Sequence, residues 1–143
     1  MKASLRLIVL MLLALAVVAS ADAAGRRKRA GQLEQAQAAY AAAIRWGEFE
    51  KAWELVDPAY REAHPLTNLA LERYRQVQIS GYRDLGLGGP EADGSISRAI
   101  ELRVINRHTM AERTLRYDER WRWDEPARRW WLVGGLPDLW NGE

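Results

Sequence analysis

Cysteine is absent from the 143 residues, which excludes disulfides, thiolate metal sites and cysteine nucleophiles together. Histidine is nearly as scarce. His64 and His108 are the only two, so a histidine-rich metal site is excluded and only carboxylates are left as metal ligands. No cofactor or metal is expected. A strong charge of one sign is missing as well: the formal net charge is +2, and much of that excess sits in Arg26-Arg27-Lys28-Arg29. A nucleic-acid binder would show a basic groove or stripe, so nucleic acid is not an expected partner. Tryptophan is what the chain has in quantity, with seven residues, and a domain without disulfides must be held by such a core.

The N-terminus reads as an address. Lys2 and Arg6 precede an unbroken apolar run from Leu7 to Val18, and small residues follow. Ala21-Asp22-Ala23 offers the Ala-x-Ala pattern that signal peptidase reads, with cleavage before Ala24; Ala19-Ser20-Ala21 is a second option. A run this short suits a signal peptide better than a spanning helix. The four basic residues after it argue the other way, because they favour keeping that flank in the cytoplasm. The rivals are an uncleaved anchor or, in a eukaryotic secretory protein, a dibasic processing site. The expected organisation is a signal peptide over 1–23, a basic flexible tether over 24–31 and one domain over 32–143, a common domain size. The expected location is the periplasm or the exterior of a bacterial cell.

Within 32–143 two periodicities alternate. Leu33, Ala36, Tyr40 and Ile44 recur at helical spacing and Gly47 is placed to end that helix in a left-handed cap. A second helix over 48–56 carries Phe49, Ala52, Trp53 and Val56 on one face until Asp57-Pro58 stops it. Shorter turns of helix are expected over 60–63 and 67–74. From Gln76 the period becomes two. Val77, Ile79, Leu85 and Leu87 mark a first strand with a bulge at Gly81, and Asp93-Gly94 signals a hairpin. Ile96, Ile100, Leu102 and Val104 mark a second strand; Leu115, Tyr117, Trp121 and Trp123 mark a third. Asp124-Glu125-Pro126-Ala127 is a turn before a last strand over 130–133. Parity allows two registers for the central hairpin: a four-residue loop over 108–111, or a loop two residues longer. The longer loop sets Glu101 against Arg120 and Arg103 against Asp118 and is favoured electrostatically. The fold class is therefore α+β, with N-terminal helices packed in a curved antiparallel sheet of about four strands.

The helix, turn and helix of Ala43-Ile44-Arg45-Trp46-Gly47-Glu48-Phe49-Glu50-Lys51-Ala52-Trp53, with the paired ends Trp121-Arg122-Trp123 and Trp130-Trp131-Leu132, resembles the nuclear transport factor 2-like superfamily. The resemblance implies a cone in which the sheet wraps the helices around a pocket. It also implies, for the superfamily's isomerase- and cyclase-like enzymes, an inward Asp or His as base. Neither histidine nor Asp118 or Asp84 fills that place, so the base is missing or replaced by Glu119. Such a layout does not define a function.

No catalytic constellation stands out. Arg98 and Glu119 interrupt the inward registers of their strands with charge. With Tyr117 they would form an anion-binding, acid/base and donor set if that face lined a pocket. The plainer reading places both at the open end of the sheet, in water. Trp53 and Trp121 complete the ligand-binding candidates, although core packing is the simpler account of Trp121 and Trp123. Trp130 and Trp131 point to opposite faces, and one of them is free to mark a partner interface. The leading functional expectation is a non-catalytic exported cell-envelope domain that binds a partner protein or a small apolar ligand. The alternatives are a small isomerase-, dehydratase- or hydrolase-type enzyme with Glu119 as base, and a membrane-anchored secretion-apparatus subunit.

Overall fold

The structure, a computed structural model, describes residues 2–140, with side chains from residue 22 onward except that of Leu87. The apolar run 7–18 thus lies outside the described side chains. Among the described residues no helix is long and apolar enough to cross a membrane.

Helix α1 runs without a break over Lys2–Arg45. Residues 24–31, expected as a flexible tether, are helical and docked. The Trp130 indole donates to the Arg29 carbonyl at 2.9 Å, and the Arg29 guanidinium pairs with Glu125 at 2.7 Å. These contacts hold a stretch that two glycines and four consecutive basic residues would otherwise weaken. The helix ends as its sequence requires. Gly47 takes φ 72°, and the Gly47 and Glu48 N–H groups close back on Ile44 and Ala43, the left-handed cap that lacks a Cβ penalty.

Helix α2 is only Phe49–Trp53, shorter than the periodicity implies. Leu55 and Asp57 leave the helix because their backbones pair with a strand: Leu132 N–H donates to Leu55 and Asp57 N–H to Leu132, each at 2.9 Å. Asp57 then caps α3 (Pro58–Ala63), accepting from the Ala59 N–H, with Pro58 in the first turn. Thr67 caps α4 (Asn68–Tyr74) in the same way.

Four strands follow, β1 (Val77–Pro90), β2 (Ile96–Asn106), β3 (Glu112–Asp124) and β4 (Arg129–Val133), paired antiparallel in sequence order. The bulge at Gly81 is present: the pairing shifts between Ile79↔Val104 and Gly81↔Arg103. Gly94, at φ 77°, makes the expected turn between β1 and β2. The β2–β3 register is neither of the two expected. It is displaced by two residues in the opposite direction from the longer loop, with Ile96 facing Trp121 and Ile105 facing Glu112. Asn106 decides this. Its N–H donates to Ala111, its carbonyl accepts from Met110, and its side chain accepts from the His108 and Thr109 N–H groups. That side-chain capping begins the turn earlier than hydrophobic parity suggests. Because the displacement is even, the same faces stay inward.

One face of the sheet carries Ile100, Leu102, Val104 and Trp121 into a core shared with Leu33, Tyr40 and Ile44 of α1, Phe49 and Ala52 of α2, and Leu139 of the tail. The other face is charged. Glu101 lies between Arg83 and Arg116, at 2.7 and 2.8 Å.

Candidate functional site

The inward face of the sheet is not wholly apolar. Arg98 on β2 and Glu119 on β3 are direct cross-strand partners in the observed register, and their side chains are 6% and 0% exposed. The reading that set both in water at an open end is therefore corrected. The sheet does not end there, because β1 and α1 cover the pair. Arg98 Nε donates to Glu119 Oε2 at 2.7 Å, and Trp121 Nε1 donates to the same oxygen at 3.2 Å. Tyr82 and Tyr117 both donate to Glu119 Oε1, at 2.5 and 2.8 Å. Arg98 spends its remaining donors on Asp84 at 3.1 Å, on the Tyr82 hydroxyl at 2.8 Å and on the Gln37 carbonyl of α1 at 3.3 Å.

Four of the five residues singled out from sequence thus meet in one cluster: Arg98, Tyr117, Glu119 and Trp121. Trp53 does not join them. It is half-buried against Tyr60 at a ring separation of 6.1 Å, because α2 ends at Trp53 and turns it toward α3. Sequence reasoning missed Tyr82 and Gln37, and it weighed Asp84 only as a base, not as a partner of Arg98. Tyr82 turns inward only once the bulge at Gly81 is counted, which the glycine could have signalled. Gln37 lies on the α1 stripe between Leu33 and Tyr40, and its polarity hid it. Neither histidine takes part; both are exposed.

The electrostatics follow from burial beside the Glu119 carboxylate. Burial acts first on the Tyr82 and Tyr117 hydroxyls, and the Glu119 charge adds to it, so both are held protonated well above the ordinary tyrosine range. Tyr40, edge-on to Trp121 at 5.8 Å, is raised by the same two causes. Burial opposes the charge on Arg98, but Glu119, Tyr82 and Asp84 more than offset it and raise its pKa. The cluster is a closed set in which each oxygen of Glu119 already accepts two donors. No acceptor position is left for a substrate proton, which a general base must reach. Surface hollows of about 330 to 420 Å³ reach none of Arg98, Tyr117, Glu119 or Trp121; one of them is lined by Tyr82 with Gly81, Arg83, Glu101 and Arg103. Among the described residues no group of three or more His, Asp or Glu is gathered that could hold a metal ion.

The fold has a counterpart among solved structures. The solution structure of a SEC-C motif containing protein from Rhodopseudomonas palustris matches it with a TM-score of 0.52 at 16% identity, covering 68% of this chain and 71% of that one. At that identity the likeness concerns fold alone. It also overturns the resemblance drawn from sequence, because nothing found points to the nuclear transport factor 2-like superfamily. The helix-turn-helix and tryptophan-rich strands behind that resemblance are features of layout, which unrelated chains share. No protein-family description and no curated protein matches the chain.

Proposed function

We propose that the chain is an exported, non-catalytic domain of a bacterial cell envelope, which acts by binding a partner protein or a small apolar ligand. The observation that carries the non-catalytic part is the saturation of Glu119. Its four donors are Arg98, Tyr82, Tyr117 and Trp121, all from this chain. Such a carboxylate supports a structural role and weakens the enzyme alternative that made Glu119 the base. Export is supported by the basic start, the apolar run 7–18 and Ala21-Asp22-Ala23. Mass spectrometry of the protein from its native cell tests the reading, with a chain beginning at Ala24 in the envelope fraction as the expected result. Native protein that still begins at Met1 and sediments with membranes would sink it.

A further inference from the structure

We propose that the end of the molecule where α1 meets the β3–β4 turn is a docking surface for an anionic phospholipid bilayer. This goes beyond the partner or ligand of the proposed function. Two basic segments far apart in sequence are brought together there. Arg26, Arg27 and Lys28 are exposed on α1. The next residue, Arg29, pins the helix to the turn through its pairing with Glu125 at 2.7 Å, its position 5.0 Å from the Trp123 ring centre, and the Trp130 indole on its carbonyl. The turn itself contributes Arg128 and Arg129, both exposed.

The two segments, 26–29 and 124–129, hold six basic residues against Asp124 and Glu125, a net of +4 in a chain whose total is +2, so the remainder carries −2. That polarity orients the molecule toward an anionic plane with this end first. The geometry favours a bilayer over a discrete anion or a duplex. None of the four surface hollows is lined by Arg26, Arg27, Lys28 or Arg128, so these charges are spread over a surface and not gathered on one phosphate. The half-buried Trp123 belongs to the same end, and its amphipathic ring is a group that interfaces accept. The surface meets the bilayer whether the chain begins at Met1 or at Ala24.

Vesicle co-sedimentation with the protein as purified from its native cell tests this, with the N-terminus of the same sample read by mass spectrometry so that export is judged separately. Binding is expected to vesicles of phosphatidylcholine mixed with phosphatidylglycerol, not to phosphatidylcholine alone, and is expected to be released by high salt. The triple variant Arg26→Gln, Arg27→Gln, Lys28→Gln should weaken binding roughly tenfold or more, since each basic residue near an anionic surface contributes on the order of a fivefold effect. Its thermal unfolding should match the wild type, and Arg128→Gln should lower binding further. Equal, salt-insensitive binding to both vesicle types would show insertion of the apolar run instead and overturn the proposal. So would no binding to either, unchanged binding by the triple variant, or equally tight binding to a short DNA duplex.

Discussion

Glu119 and Arg98 are the two residues whose replacement reads the interior most directly. Removing the Glu119 charge leaves Arg98 buried with the half-exposed Asp84 as its nearest carboxylate. Glu119→Gln is expected to destabilise by about 3–5 kcal/mol, the usual cost of leaving one member of a buried pair alone. Urea unfolding measures it, and a change under about 1 kcal/mol would mean that the pair is solvated after all. Replacing both, Arg98→Met with Glu119→Leu, should not recover that loss, because the Tyr117 hydroxyl and the Trp121 indole would be left without their acceptor in the interior. Asp57 offers a second test. Burial alone would raise its carboxyl, but the Arg122 guanidinium and the Ala59 N–H outweigh burial and hold it below the ordinary range. A carboxyl lowered in the folded state stabilises above its unfolded value, and that contribution is lost as pH falls through the folded one. Asp57→Ala should therefore cost about 1–2 kcal/mol at neutral pH, and the gap to wild type should close on acidification. At this scale the sequence was informative about identity and silent about environment. Alternation placed Arg98 and Glu119 on the inward face, but it does not say how far neighbouring elements extend to cover them.

Elements were legible wherever a local signal ends them. Gly47, Asp57-Pro58, Thr67 and Asp93-Gly94 each stop or start an element by backbone chemistry confined to a few residues. Two features depended on partners distant in sequence and were misread. Helix α2 is cut short by pairing with β4, and the β2–β3 register follows Asn106 rather than the charge pairs of the outer face. That hairpin contains a strained position. Met110 has φ 59° and is 73% exposed, so it carries left-handed strain without packing to offset it. Met110→Gly should stabilise by roughly 0.5–1 kcal/mol, read as a rise in the urea midpoint. A loss of stability would show that the side chain is held by contacts and that strain does not dominate there.

For the molecule as a whole, tyrosine burial sets the alkaline limit. Burial is the first cause that raises Tyr74, to about 12, and it lifts Tyr40, Tyr82 and Tyr117 as well. Groups raised in the folded state stabilise fully below the unfolded value, near 10 for tyrosine, and that stability is lost as pH rises through the folded values. Ionisation of these four should then coincide with loss of the circular-dichroism signal in one step. Tyrosinate absorbance that develops smoothly while the fold persists would contradict it. The order of elements also governs when folding can finish during synthesis. Neighbouring strands pair in sequence order and can zip locally, but the cluster that takes in the apolar stripe of α1 is complete only with Trp130, Leu132 and Leu139. A nascent chain that has emitted every helix and three of its four strands still lacks these closing residues. Contacts of such long span are slow to form and come late, so the growing polypeptide is held short of this fold until Leu139 has been made.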